Sequence, residues 1–541
     1  MAENDALPNP LIPGFHPDPS VCFVDGWYYL ATSSFEYLPG IPVVRSRDLR
    51  EVELIGHVAV REGQLGVPGV PTGGGAWAPT IRHHNGRFHL VVPDMLGTGR
   101  GNVLFTADDP AGPWSDGVVM EALGIDPDIA WDEDGTCYVT MSGFMLDDET
   151  GELNHLGITQ VTIDTETGKA LSEPIRLWSG TGGMFPEAPH LYRRGEHWYL
   201  MIAEGGTERG HSVTIARGPS PSGPLSGAPH NPLVTARGTD RAVQNTGHGD
   251  LIEMAAGSWA MVLLGTRPRS TTRAFAPMGR ETFIVPVTWV DGWPYAEPVR
   301  LDDRHAPHEH VVDLGGAAPA GEQGFDPELI AVRRFPWEVA DAAARPGALR
   351  LTGRGVGMED PAPDFIGIRQ STEGLELECE LDLRAGAGGL SLRFDEHSHL
   401  DIEAGGAEGT VRASMHTYSL AQSWEVPLPD AGTDGGGAAD GDGTADGGGA
   451  DGPLARLALR IVAEPFVPGA LNMNASCDTL HAQVHGADGW IIDIASVDGR
   501  FLSSDVCESF TGRVGGPYAR EGVVDVLALS RRGQDIERAI R

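Results

Sequence analysis

The sequence predicts an all-β chain, a five-bladed β-propeller followed by a β-sandwich, and three observations carry that reading. Five turn-plus-strand segments recur: Gly26-Trp27-Tyr28-Tyr29-Leu30, Gly86-Arg87-Phe88-His89-Leu90, Gly135-Thr136-Cys137-Tyr138-Val139, Glu196-His197-Trp198-Tyr199-Leu200 and Gly257-Ser258-Trp259-Ala260-Met261. Their spacing of roughly 50–60 residues is that of a propeller blade with long loops. About ten residues before each strand stands a distinctive side chain: Asp18, Trp77, Asp126, Glu187 and His248. In a propeller the innermost strands line the axis, so these five should converge. Finally, short alternating strands without the five-fold repeat, such as Leu375-Glu376-Leu377-Glu378-Cys379 and Leu457-Ala458-Leu459-Arg460-Ile461, fill the C-terminal part and read as a sandwich.

The opening stretch Asn9-Pro10 to Ser20-Val21 sets Asp18 between two prolines. Proline fixes its own φ and pushes the preceding residue towards extended backbone, so Asp18 is expected on a stiff, extended entry to the first strand. From Val21 to about Pro298, strand signals alternate with Gly, Pro and Asp-Gly turns, with no convincing amphipathic helix. The pattern breaks at 301–335, through His305-Ala306-Pro307-His308 and Gly315 to Gly321. The expected organisation is therefore a propeller over 1–300, a join over 301–335 and a sandwich over 336–541. Within the sandwich, residues 430–452 are almost wholly Gly, Ala, Asp and Thr. They cannot bury enough apolar surface to offset their ordering entropy, so a disordered insert is expected there.

Composition narrows the partners. The 541 residues carry 39 Lys and Arg against 76 Asp and Glu, a formal charge of −37. With no basic stripe to neutralise phosphates, nucleic acid and anionic membranes are excluded as partners, whereas a neutral substrate is unaffected. The N-terminus has no signal-peptide pattern and no stretch approaches a membrane span. The five cysteines (Cys22, Cys137, Cys379, Cys477, Cys507) are scattered without metal-ligand spacing and read as buried reduced thiols. A reducing cytoplasm is the expectation, where any polymeric substrate would have to arrive already shortened. Association into a homo-oligomer is left open.

Two carboxylates distant in sequence suit glycoside hydrolysis, where one carboxyl protonates the leaving oxygen and another activates water or attacks the sugar. Asp18 and Glu187 are the best pair. Glu187 lies in the apolar, proline-bounded Met184-Phe185-Pro186-Glu187-Ala188-Pro189, a setting that should raise its pKa and fit it to act as the acid. Asp126 in Gly124-Ile125-Asp126-Pro127-Asp128 is a third carboxylate whose charge could hold the acid's pKa up. Taken alone it reads as a turn residue. Asp128 competes with it, because residues two apart on a strand share a face. Trp77 could wall a sugar site, although tryptophan is more often plain core.

At these residues the chain resembles glycoside hydrolase family 43, inverting enzymes on a five-bladed propeller. The resemblance covers nearly the whole chain. It implies general base for Asp18 (Pro17-Asp18-Pro19-Ser20), pKa modulator and orienter for Asp126 (Gly124-Ile125-Asp126-Pro127) and general acid for Glu187 (Phe185-Pro186-Glu187-Ala188-Pro189-His190). In the family glycine commonly follows the glutamate; here it is Ala188. Phe35 and Trp77 match aromatics of the sugar subsite, and Arg280 in Gly279-Arg280-Glu281-Thr282 matches an arginine that reaches the glycone hydroxyls. His248 in Gly247-His248-Gly249-Asp250 matches a histidine on the axis, sometimes beside a structural calcium; no cofactor is required. The second domain looks like the jelly-roll, concanavalin-like sandwich of the two-domain β-xylosidase/α-L-arabinofuranosidase branch, with Leu502-Ser503-Ser504 and Phe510-Thr511-Gly512 its clearest match. That branch often closes the pocket with a phenylalanine at the place of Val514, which makes Val514 the expected pocket wall. The sandwich should pack on the propeller and narrow the pocket.

The implied function is an exo-acting, inverting hydrolase that releases terminal xylose or arabinofuranose from xylo- and arabinoxylo-oligosaccharides. Three alternatives differ in class or mode of action: an endo-arabinanase, a catalytically silent carbohydrate-binding protein on the same scaffold, and a metal-dependent hydrolase using His16, Asp18 and His248.

Overall fold

The computed structural model describes residues 7–97, 100–146, 153–255, 257–270, 272–301, 307–314, 324–405, 409–428, 457–466, 476–486 and 489–536. The Gly/Asp-rich insert 430–452 lies outside the described residues. Five antiparallel sheets follow one another along the chain, each built from contiguous sequence. Their innermost strands are Ser20–Val24, Thr80–His84, Gly124–Trp131, Glu187–Arg194 and Gln244–Glu253. The recurring aromatic segments form the second strand of each blade, antiparallel to the first, as Cys22 opposite Tyr29 and Tyr192 opposite Tyr199 illustrate.

Five apolar clusters hold the propeller, one between each pair of neighbouring blades. Ile81 and Phe88 meet Ala31 and Val43; Ile129 and Val139 meet Val91 and Leu104; Leu191 and Leu200 meet Ile158; Leu251 and Met261 meet Met201 and Val213; Leu30 and Val21 meet Val262 and Ile284. The last cluster closes the ring, and polar contacts fix its register. Asn9 imitates a strand neighbour: its side-chain NH₂ donates to the Ile284 carbonyl and its Oδ1 accepts from the Ile284 N–H, both at 2.8 Å. Leu11 N–H donates to Thr282 O at 2.9 Å and His16 N–H to Arg280 O at 3.2 Å. The proline-rich opening thus lies along the strand Arg280–Val290 and delivers the following residues to the axis.

The C-terminal domain is a sandwich built on two long strands, Gly374–Asp395 and Val514–Gln534, paired with each other. The first half of Gly374–Asp395 pairs with Leu457–Pro465 and the second half with Ser398–Gly405, so one bent strand serves both layers. Alternation places Leu375, Leu377, Cys379 and Leu381 in the core. The join is more structured than its composition suggests. His308–Val311 pairs with the long C-terminal strand, while Ala331–Val332 pairs with Tyr37–Leu38 of the propeller. The second domain's sheet therefore begins inside 301–335; a polar edge strand such as His308-Glu309-His310-Val311 carries no apolar alternation to announce it.

The two domains meet closely. Ser504 N–H donates to Ala276 O (3.1 Å) and Ala276 N–H to Asp505 Oδ2 (2.8 Å). A Cβ on Gly279 would sit 2.0 Å from Thr511 O, and one on Gly512 2.3 Å from Met278 O. Only glycine allows backbone to approach backbone this way.

Candidate active site

Asp18 is buried and its φ is +57°, so the extended backbone expected from its two prolines is not what forms. The segment turns there to leave its pairing with Arg280–Val290 and enter the first blade. The turn aims the carboxylate at Arg280: Nη1 donates to Asp18 Oδ1 at 3.1 Å, and Ser33 Oγ donates to Oδ2 at 2.6 Å. His248 Nδ1 stands 3.5 Å from Oδ1. Burial works against the charge of Asp18, but Arg280, His248 and the Ser33 hydrogen bond outweigh it and hold its pKa below the usual carboxylate value.

Glu187 and Asp126 have the opposite electrostatics. Burial, then the charges of Asp126 and Asp18, push Glu187 well above its ordinary value. Burial, then the charge of Asp18, pushes Asp126 up to about 7. Ala188 N–H donates to Asp126 Oδ2 at 3.1 Å, whereas no donor among the described residues reaches the Glu187 carboxyl. The site therefore sets one carboxyl biased towards its ionised form, Asp18, beside two biased towards their protonated forms, Asp126 and Glu187.

Backbone irregularities place these groups. Register shifts fall between Ile125 and Asp128, between Glu187 and His190, and on both sides of Gly247. Asp126, Ala188 and His248 have φ of +50°, +51° and +48°. Bulges re-aim side chains and cluster at functional sites. They also separate Asp126 from Asp128, which spacing alone would put on one face. Asp128 points away from the site, accepting from Arg82 Nη2 (2.9 Å) and Leu191 N–H (2.9 Å). The left-handed φ of Ala188 accounts for glycine being common there.

Phe35, Trp77 and Phe510 make an aromatic wall: Phe510 stacks on Phe35 with centroids 5.8 Å apart and meets Trp77 edge-on at 6.1 Å. Trp77 Nε1 donates to Gly73 O at 2.7 Å, fixing the indole. Val514 does not line the site. It is fully buried in the cluster of Phe15, Phe35, Tyr37 and Phe365 behind that wall. The sandwich's contribution is Phe510, carried on the loop that follows the short turn Ser504–Cys507 and left-handed Glu508. Arg280 binds that loop, its Nε and Nη2 both donating to Phe510 O at 3.3 Å while its guanidinium lies 5.5 Å and 5.3 Å from the Phe35 and Phe510 rings. Sequence reasoning also missed Ser33, Thr207, which accepts from Arg280 at 3.0 Å, and His211, buried and bonded to Asn245 O at 2.9 Å. Ser33 lay in the same run as Phe35 and could have been found from it.

One layer further along the axis lies a second polar ring. Arg82 donates to Asp250 (2.8 Å), Asp128 (2.9 Å) and Ser20 (2.9 Å) and contacts His190 Nδ1 at 3.0 Å; Tyr192 OH donates to Asp250 at 2.5 Å. One inner strand of every blade supplies a member. This ring bears on the calcium that the family resemblance allows, without requiring it, beside His248. A hard cation needs six to eight oxygens, yet here a guanidinium holds the axis, and Asp18, Asp128 and Asp250 are committed to Arg280 and Arg82. The donor set does not fit calcium. His248 itself is pushed down to about 3 by burial, although Asp18 opposes this, so it is neutral near pH 7. Nor do His16, Asp18 and His248 form a metal trio. Asp18 is taken by Arg280, and His16 Nδ1 contacts Thr32 Oγ1 at 3.2 Å.

Comparison with known proteins gives the same answer from another direction. The model of glycosyl hydrolases family 43 matches residues 7–294. A xylosidase/arabinosidase of Butyrivibrio fibrisolvens is 34% identical over 415 residues, covering 73% of this chain and 79% of its own. A non-reducing end α-L-arabinofuranosidase of Bacteroides ovatus is 35% identical over 408 residues, 73% of this chain and 75% of its own. Among solved structures, a Bacteroides ovatus xyloglucan-locus family 43 protein superposes with TM-score 0.80 at 28% identity, over 97% of this chain and 99% of its own. A xylan β-1,4-xylosidase from Bacillus halodurans superposes with TM-score 0.82 at 25% identity, over 97% and 100%. This chain belongs to glycosyl hydrolases family 43 and is a glycoside hydrolase.

Proposed function

We propose that the protein is an exo-acting, inverting glycosidase that removes a terminal xylose or arabinofuranose from xylo- and arabinoxylo-oligosaccharides. The observation that carries this is the split among its carboxyls. At one end of the axis, beside an aromatic wall, Asp18 is biased towards its ionised form and Glu187 towards its protonated form. The names of the relatives as xylosidases and arabinofuranosidases support the pentose.

In this reading Asp18 takes a proton from water, and that water attacks the anomeric carbon from the face opposite the leaving group. Glu187 gives its proton to the leaving oxygen as the glycosidic bond breaks. Inversion calls for about 6.5–9.5 Å between the two carboxyls, room for one water. Asp126 keeps the acid protonated until it is needed. Arg280 holds Asp18 in place and offers its guanidinium edge to the pentose hydroxyls. Phe185, exposed two residues before Glu187, is the surface for the leaving sugar. We infer a reducing compartment from five buried, unpaired thiols. No chemical step is assigned to a metal.

The test pairs two substrates with two variants. Asp18→Asn should lose activity on both xylobiose and a dinitrophenyl pentoside, because both need activated water. Glu187→Gln should lose about 10²–10⁴-fold on xylobiose, the usual worth of acid–base catalysis, and far less on the dinitrophenyl pentoside, whose leaving group needs no proton. Equal losses on both substrates would remove Glu187 from the role of acid. The anomer first released, read by NMR, reports inversion.

A further inference from the structure

The sandwich carries a cluster that the propeller's chemistry does not use. His399 and His416 stand directly opposite each other on the adjacent antiparallel strands Ser398–Gly405 and Thr410–Thr417, and Asp401 lies two residues from His399 on the same face. The intervening Leu400 and Ile402 point the other way, into the sandwich core. The two imidazoles stack with centroids 4.5 Å apart and planes 14° from parallel, and His399 Nδ1 is 2.7 Å from Asp401 Oδ2. One ligand atom from each of the three residues lies within 4.8 Å of the others. Among the described residues no other group of three or more His, Cys, Asp or Glu gathers so closely.

Hydrogen bonding within the trio is incomplete. His399 is fully buried and Asp401 nearly so, yet His399 Nε2 and Asp401 Oδ1 have no partner among the described residues. A buried polar atom without a partner is costly and calls for an explanation. Of the other side chains on this face, Glu403 is bonded by Arg412 and Tyr518, whereas Ser391 and Arg393, opposite Asp401 and His399 on the next strand, have no hydrogen-bond partner among the described residues, and the Arg393 guanidinium lies over the Phe365 ring at 5.9 Å. His416 is only half-buried, which leaves an entry path from solvent.

We propose that His399, Asp401 and His416 bind one divalent transition-metal ion of the zinc class. Two imidazoles and one carboxylate are a borderline donor set that suits zinc, cobalt or nickel rather than calcium or magnesium. An antiparallel strand pair already fixes the two histidines across from each other, so little ordering is lost on binding. The ion would take one ligand atom from each residue, Asp401 Oδ1 gaining the partner it lacks, and lock the strand pair on the face that continues, through Tyr518 and Phe365, towards the wall behind Phe35. Its role is structural and independent of the chemistry at Asp18 and Glu187.

The full-length protein would be treated with chelator, loaded with Co²⁺ or Zn²⁺, desalted, and assayed for metal per chain by elemental analysis and for Co²⁺ d–d absorption. About one ion per chain is expected, with a higher melting temperature in the loaded form. His416→Phe keeps the ring stack and removes the ligand nitrogen; Asp401→Asn removes the carboxylate. Both should lose the bound ion and the thermal shift while retaining glycosidase activity, which shows that they are folded. A wild-type protein that retains no ion overturns the proposal. So do variants that retain as much as wild type, because the metal would then sit elsewhere, for instance on the Asp-rich insert.

Discussion

Two polar rings cross the axis of this propeller, two or three residues apart on the same strands in three of the five blades, and they treat their carboxylates in opposite ways. In the inner ring Arg82 sits between Asp128 and Asp250, and Ser20 and Tyr192 complete the hydrogen bonds of Asp250. Burial opposes the charge of Asp250, but Arg82 and His190 prevail and hold it well below the ordinary carboxylate range. In the outer ring three carboxyls share one arginine, and Arg280 is directed to Asp18 alone. Asp126 and Glu187 are left with raised pKa values as a result. One ring pairs both of its carboxylates with its arginine and ties the blades together; the other keeps an unfavourable arrangement because proton transfer requires it. A cation count of one per ring is the same in both, and what differs is how many carboxylates compete for it.

The largest test of this contrast removes a carboxylate from the inner ring. Asp250→Ala leaves Arg82 with one of its two carboxylates gone, and should cost about 3–5 kcal/mol of stability, measured by denaturant unfolding at neutral pH. A loss below 1 kcal/mol would mean the ring does not fix the blades.

Removing a carboxylate from the outer ring should do the reverse. A raised folded pKa contributes stability that is present below the unfolded value and lost as pH rises through the folded value, about 7 for Asp126. Asp126→Asn has no charge to bury, so it should be more stable than wild type at pH 8, on the order of 1–3 kcal/mol, and little changed at pH 4. The same substitution removes the negative charge beside Glu187 and lowers its pKa. The alkaline limb of kcat/KM should therefore move to lower pH. An unmoved limb would separate Asp126 from the acid.

The smallest effect concerns the backbone that aims both groups. Ala188 at φ +51° bears about 1–2 kcal/mol of left-handed strain, which Ala188→Gly relieves. The looser unfolded chain returns about 0.4–1 kcal/mol of that, and the lost methyl contact a similar amount. Equilibrium unfolding should change by less than about 1 kcal/mol, with activity preserved. Elsewhere in a strand the same change is plainly destabilising, so a large loss would show that Ala188 is not strained.

How much of this was legible varies by the range of the interaction concerned. The blades were readable because each is contiguous and repeats its turn and aromatic strand. The order of Asp18, Asp126 and Glu187 was readable for the same reason, since each precedes a second strand by about the same distance. Arg82 was not, because its partners come from the other four blades and no local pattern marks it. The bulges were also hidden: an extra residue in one strand shows only against its partner's register, so Asp128 could not be told from Asp126. Val514 and Phe510 were confused because the choice depends on the loop path around left-handed Glu508. His308–Val311 was read as part of the join because three of its four residues are polar and no apolar alternation marks it.

Arg280 holds Asp18 with one nitrogen and the Phe510 carbonyl with two others, and this has a consequence for how the protein comes into being. Translation runs from the N-terminus, so all three carboxyls have left the ribosome long before Phe510 is made. A nascent propeller has its acid, its base and two of the three aromatics of the wall, Phe35 and Trp77, but not Phe510 or the carbonyl that holds Arg280 from the other side. The complete wall around the site therefore forms only once Phe510, near the end of the sandwich, has been made and has docked on Arg280.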